Sequence, residues 1–277
     1  MSSATEDLVR SGNRGASLSR RGWSLRRGWR ALRTGVAFLM FGLGVLVISV
    51  LGLPLLRLTW GRRPDSQGRV QLLIHHAFRL FAWFMEATGL IRVTWSGRER
   101  LRAGPLLVVA NHPTLIDVVL LVAAMPQAAC IVKTAALRNV LLRRIVRGAG
   151  YIANDRPDPL IVAGTECLRR GQSLLIFPEG TRSPGGRLGA FRRGAARIAL
   201  RSGRDLVPVV IRCAPPTLMK GQPWHDVPAS TAHFTLTVMD PIRVGELPAA
   251  GKPEAAGARE LTELLQGFYE RNPHVSR

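Results

Sequence analysis

Residues 34–56 run for twenty-three positions without a charge, TGVAFLMFGLGVLVISVLGLPLL. A helix of that length spans about 34 Å, close to the ~30 Å of a bilayer's hydrocarbon. It has no polar face, unlike a helix half-buried in a soluble core. Gly35, Gly42, Gly44 and Gly52 are tolerated in such a segment, and Pro54 lies near its exit. Residues 70–90 carry a second pattern, with Leu73, Ala77, Leu80, Phe81 and Phe84 on one helical stripe and Trp83 suited to a head-group region. An interfacial helix is expected there, with a helix packed on the following domain as the alternative. His75 and His76 are adjacent and diverge on a helix, so neither reads as a metal ligand.

From residue 91 the pattern changes to short apolar runs separated by helix-length segments. Strands are predicted at 91–95, 105–110, 130–133, 150–154, 173–178, 205–213 and 233–239. Helices are predicted at about 114–124, 136–147, 159–170, 190–202 and 254–271. This alternation implies an α/β domain with helices packed on a central sheet. The organisation read from it is a flexible basic tail over 1–33, membrane-attachment helices over 34–90 and a catalytic domain over 91–272. The proline-rich stretch Ala214 to Ser230 reads as a lid or specificity loop.

Charge sharpens the membrane reading. The 277 residues hold 39 Lys+Arg against 18 Asp+Glu, a formal net charge of +21, which favours anionic partners. Eight arginines (10, 14, 20, 21, 26, 27, 30 and 33) precede the apolar segment, and Arg57, Arg62 and Arg63 follow it. Their placement favours an anionic phospholipid surface. Basic flanks on both sides suggest a helix that dips into one leaflet with both ends at the cytoplasmic face, the inner membrane in a bacterium. Most of the few aromatics lie in apolar segments instead of alternating with basic residues, so nucleic acid is not an expected partner. A non-enzymatic basic membrane scaffold stays open. Cys130, Cys167 and Cys213 are too widely and unevenly spaced for a disulfide framework or a thiolate metal site.

Two short blocks carry candidate chemistry. Asn111-His112-Pro113-Thr114-Leu115-Ile116-Asp117 follows a buried strand. Pro113 suits a first helical position, which leaves His112 at the junction and Asp117 a turn inside. An imidazole there can take a proton from an alcohol, and a carboxylate can hold its tautomer. No GxSxG elbow accompanies the pair, so the hydroxyl to be activated is the substrate's own. Phe177-Pro178-Glu179-Gly180-Thr181-Arg182-Ser183 closes another strand, where α/β sheets bind ligands. Arg182 offers a fork for phosphate or carboxylate, Glu179 an acceptor for hydroxyls or a partner for Arg182, and Gly180 a turn. Arg187, Arg192 and Arg193 gather round an anion or cover a solvated face. Trp224-His225-Asp226 lacks a preceding strand and reads as structural.

In order and separation these blocks resemble those of the glycerolipid and lysophospholipid acyltransferase superfamily. His112 to Asp117 resembles its HxxxxD motif, Phe177 to Arg182 its FPEGTR block, Lys133 with Asp155-Arg156 its second block and Val207-Pro208-Val209 its fourth. Phe191-Arg192-Arg193-Gly194 resembles its basic run before a helix. The resemblance covers roughly 70–245. It implies a glycerolipid-acyltransferase-like central sheet flanked by helices, with an N-terminal hydrophobic helical membrane module. It also implies transfer of a fatty acyl group from acyl-CoA or acyl-carrier protein to a lysolipid hydroxyl, 1-acylglycerol-3-phosphate being the first candidate. His112 is then the base and Asp117 its orienter. Glu179, Gly180, Thr181, Arg182, Arg156, Lys133, Arg192 and Arg193 would bind substrate, with Arg156 and Arg182 at the acceptor's phosphate. No metal and no cofactor beyond the donor thioester is expected. The second block departs from the family pattern, with Arg138-Asn139-Val140-Leu141-Leu142-Arg143-Arg144 where proline and glycine are usual. That basic surface suits a carrier protein or anionic lipid, and the acceptor stays open, as does hydrolysis with water in its place.

Overall fold

The computed structural model describes residues 25–60, 66–247 and 251–272. Seven strands form one mixed sheet: β1 (Ile91–Ser96), β2 (Leu107–Ala110), β3 (Ala128–Lys133), β4 (Ile152–Asn154), β5 (Ser173–Ile176), β6 (Leu206–Ala214) and β7 (Ala232–Val238). Their order is β1-β7-β6-β2-β5-β3-β4. All neighbours are parallel except β6 and β7, so β1 and β7 run opposite to the rest. The strand expected at 150–154 begins at Ile152, because Gly150 turns the chain with φ +67°.

Period-two alternation divides the core into two layers. Along β2, Val108 and Ala110 face one layer while Leu107 and Val109 face the other. All four are fully buried, as expected of a central strand covered on both faces. The first layer packs under α3 (Ser66–Ala87) and α4 (Asp117–Val122). The second packs under α6 (Pro157–Arg169), α7 (Gly194–Ser202) and α8 (Glu254–Glu270). Between β3 and β4 lies α5 (Val140–Gly148), capped by the Asn139 side chain, which accepts from Leu141 N and Leu142 N. From the last helix the buried Tyr269 hydroxyl donates to the carbonyls of Val109 and Val209, at 2.7 and 3.2 Å.

The apolar N-terminal helix is longer than the uncharged run. It comprises α1 (Leu25–Val47), a π-helical turn (Ile48–Gly52) and α2 (Leu53–Trp60). Residues 1–24 of the expected flexible tail lie outside the described residues, while 25–33 are helical. The stretch Gly28–Thr59 is long and apolar enough to cross a membrane. Thr34, Ala37, Ser49 and Leu53 are buried against the domain, while Leu39, Leu43, Leu51 and Leu58 point outward and are exposed. The domain touches this helix near both ends: Arg30 donates to Thr231 Oγ1, and Leu53 packs against Gly148.

The next helix, α3, packs on the domain through one face and leaves another exposed. Val70, Gln71, Ile74, His75 and Met85 are buried, whereas Leu80 of the predicted stripe is 64 % exposed, as is Trp83. His75 is a satisfied core side chain, its Nδ1 2.9 Å from the carbonyl of Val122.

Candidate active site

The loop after β2 is held by its own side chains. Pro113 does not open the helix, which begins at Asp117. Thr114 closes the turn before it: its N–H and hydroxyl donate to Asp117 Oδ2 and Oδ1, both at 2.7 Å, while its Oγ1 accepts from Ile116 N. This Thr-x-x-Asp turn buries Asp117 completely. The same Oδ2 lies 2.8 Å from His112 Nδ1. A carboxylate that only accepts holds the proton on Nδ1, which leaves the Nε2 lone pair free to act as a base. Phe177 stacks on the imidazole with centroids 4.2 Å apart and planes 25° from parallel. The loop is anchored further by Asn111, whose side chain bonds both N and O of Ile211 on β6 at 2.8 Å.

The Phe177–Ser183 turn is tied to this loop from the other side. Ser183 N donates to the carbonyl of His112 at 2.7 Å. Glu179 is only 4 % exposed, and its oxygens accept from His112 N, Ser183 Oγ and Gly189 N, each at 2.9 Å. Burial and three donors turn it inward, where it brackets the two motifs. Gly180 has φ +67°, and a Cβ there would come within 2.9 Å of Arg192 Nε, so the turn needs glycine. Thr181 Oγ1 accepts from Lys133 Nζ at 3.2 Å, joining the ends of β3 and β5. Arg182 is likewise turned away from the open site in part. Its Nη1 donates to the carbonyls of Leu218 and Met219 at 2.9 and 3.0 Å.

Two cavities border the two motif segments. One of about 270 Å³ lies between α1, α3 and the domain, lined by Phe38, Phe41, Phe81, Leu115, Ile116 and Leu218 among others, nearly all apolar. The other, about 670 Å³, opens beyond Phe177 and is lined by Pro178, Gly180, Arg192, Arg193 and the start of α7. Arg156 is exposed at the position preceding α6, next to Asn154 of that cleft. The structure thus gathers Lys133, Thr181, Gly180, Arg192 and Arg193 at the carboxyl ends of β3 and β5. No three His, Cys, Asp or Glu side chains converge as a metal site among the described residues. Sequence reasoning missed Thr114, Ser183 and Phe177 as parts of the site. Only the Thr-x-x-Asp turn had a local signal; the others act through contacts remote in sequence.

Residues 92–212 match the family model described as Acyltransferase. The 1-acyl-sn-glycerol-3-phosphate acyltransferase of Pseudomonas aeruginosa is 26 % identical over 206 residues, covering 72 % of this chain and 75 % of that protein. A chloroplastic 1-acyl-sn-glycerol-3-phosphate acyltransferase of Arabidopsis thaliana is 30 % identical over 127 residues, 43 % of this chain and 36 % of that protein. In fold the chain is similar to the crystal structure of the 1-acyl-sn-glycerophosphate acyltransferase PlsC from Thermotoga maritima. The TM-score is 0.64 at 21 % identity, over 88 % of this chain and 98 % of that one. Residues 92–212, which carry the His112–Asp117 pair at the end of a central strand, are thus similar to the Acyltransferase family.

Proposed function

We propose that this protein transfers a fatty acyl group from acyl-CoA or acyl-carrier protein to the free hydroxyl of a lysolipid, with 1-acylglycerol-3-phosphate as acceptor and phosphatidate as product. The observation that carries the reading is the 2.8 Å His112–Asp117 pair, in a loop whose Leu115 and Ile116 line an apolar cavity. The neighbouring hydroxyls support direct transfer: Thr114 Oγ1 donates to Asp117 and Ser183 Oγ to Glu179, so each is engaged by a carboxylate. His112 Nε2 removes the proton from the acceptor hydroxyl as its oxygen attacks the thioester carbonyl. Asp117 stabilises the imidazolium so formed. The tetrahedral oxyanion faces the Pro178–Thr181 turn. Its collapse forms the ester and breaks the C–S bond, and the departing thiolate takes the proton from His112. The thioester is already activated, so this path needs no metal.

The apolar cavity suits the acyl chain, and the cleft carrying Arg192 and Arg193 suits an anionic group. Lys133 ends β3 and Arg156 follows its parallel neighbour β4, and both are assigned to the acceptor's phosphate. The outward leucines of α1 and α2 enter one leaflet of an anionic bilayer, with the domain on the cytoplasmic face. Contact with the domain near both ends of that helix supports a re-entrant seat over a crossing.

Membranes containing the wild-type protein or His112→Ala, given a panel of lysolipids with matched acyl donors and read by product mass spectrometry, test the proposal. A His112-dependent diacyl phosphate supports it. A product with another head group keeps the mechanism and replaces the acceptor. Free fatty acid alone, or no His112-dependent product, overturns it.

A further inference from the structure

The segment between β6 and β7, residues 214–230, crosses the catalytic end of the sheet as a strap, and it is fastened at three places. Arg182 Nη1 donates to the successive carbonyls of Leu218 and Met219. Leu115 N, three residues beyond His112, also donates to the carbonyl of Leu218, at 3.1 Å. At the far side Trp224 lies in the notch left by Gly35 of α1, where a Cβ would come within 3.3 Å of the indole, and it meets Phe38 edge-on at 6.2 Å. Leu218 adopts φ +51°, the one non-glycine residue with positive φ among those described, a conformation leucine disfavours. It lets two consecutive carbonyls converge on one nitrogen while its side chain, with Thr217, Val227 and Pro228, walls the apolar cavity.

We propose that Arg182 is a positioning residue that latches this strap over the apolar cavity, and that the latch, together with Trp224 on Gly35, sets which acyl chains the cavity accepts. The second half rests on the reading of that cavity as the acyl site. An arginine in the Phe177–Ser183 turn is well placed for this, because Ser183 N is bonded to the carbonyl of His112. One short stretch therefore ties the base, the cavity wall and the membrane helix together. Without Arg182 the carbonyls keep Leu115 N and Gln222 N as donors, so the strap loosens without being lost.

Full-length Arg182→Lys, Trp224→Ala and Gly35→Leu proteins test the inference. Lysine keeps the charge but not the fork, and leucine fills the notch from the helix side. The readouts are hydrogen exchange of strap amides and the donor chain-length profile at saturating acceptor. Exchange over 217–226 is expected to rise in all three. Discrimination against a donor one methylene longer, about tenfold or more in a closed pocket, is expected to fall to within about threefold. The Arg182→Lys/Trp224→Ala double variant should add little to either single change. Unchanged exchange in Arg182→Lys overturns the latch whether or not the protein is active. Faster exchange with an unchanged donor profile, and only a higher acceptor KM, overturns its role in selection. Absence of His112-dependent acyl transfer with every donor defeats the proposed function and the selection role with it, and the exchange result then decides the latch alone.

Discussion

The ring of His112 lies against that of Phe177, 4.2 Å between centroids, while its Nδ1 is bonded to Asp117. Stacking fixes the plane of the imidazole and the hydrogen bond fixes its rotation within that plane, so the direction of Nε2 is set before substrate arrives.

His112→Ala is therefore expected to lower turnover about 10²–10⁴-fold, the usual contribution of a positioned base. Asp117→Asn should lower kcat and also destabilise the fold, because the same carboxylate holds the Thr114 turn. Turnover by mass spectrometry and thermal unfolding, measured on both variants, separate the two effects: His112→Ala should change the first far more than the second.

Glu179→Gln places an amide donor among His112 N, Ser183 Oγ and Gly189 N, all of which donate to the carboxylate. A donor left without an acceptor in this buried place costs about 1–3 kcal/mol. The melting temperature should fall together with kcat. A higher acceptor KM with unaltered stability would instead show a direct substrate contact.

Leu39 and Leu43 project from α1, 71 % and 56 % exposed. A charge buried in the hydrocarbon opposes insertion by about 2.5–3.5 kcal/mol. Leu39→Glu with Leu43→Glu should weaken flotation with anionic vesicles at least about tenfold and leave the unfolding transition of the domain in place. Unchanged flotation would mean that this face does not meet lipid.

Burial pushes the Cys130 and Cys213 thiols up to about 12 and that of Cys167 up to about 11. Folded protein at pH 8 should resist maleimide at Cys130, with labelling only on unfolding. An unfolded chain ionises these thiols near pH 9, where the folded one still holds their protons. Stability should consequently fall as pH rises from about 9 towards 12. Serine at all three positions should flatten that slope.

Gly164 on α6 lies against α7 and β5. A Cβ there would meet Ile198 Cδ1 at 2.6 Å and Leu174 Cδ2 at 3.2 Å. Gly164→Ala should destabilise by about 1–3 kcal/mol through overpacking, outweighing its gain in helix propensity. Calorimetry of the variant checks this, and an unchanged or raised melting temperature would show that Ile198 can move aside.

The apolar run at 34–56, the alternation of strands and helices from 91 and the strand-end positions of His112 and Glu179 were legible in the sequence, because each is written in contiguous residues. Hydrophobic period and turn glycines act over a few positions and need no distant partner. Tertiary structure alone decided the reversed direction of β1 and β7, the domain-facing side of α1 and α3, and the inward turn of Glu179. It also decided that Arg182 reaches Leu218 and Met219, thirty-six and thirty-seven residues away. The physical reason is that these depend on which surfaces meet. A leucine facing lipid and one facing a core leave the same hydrophobic mark in the sequence, and a carboxylate acquires its role from donors that only the completed fold brings to it.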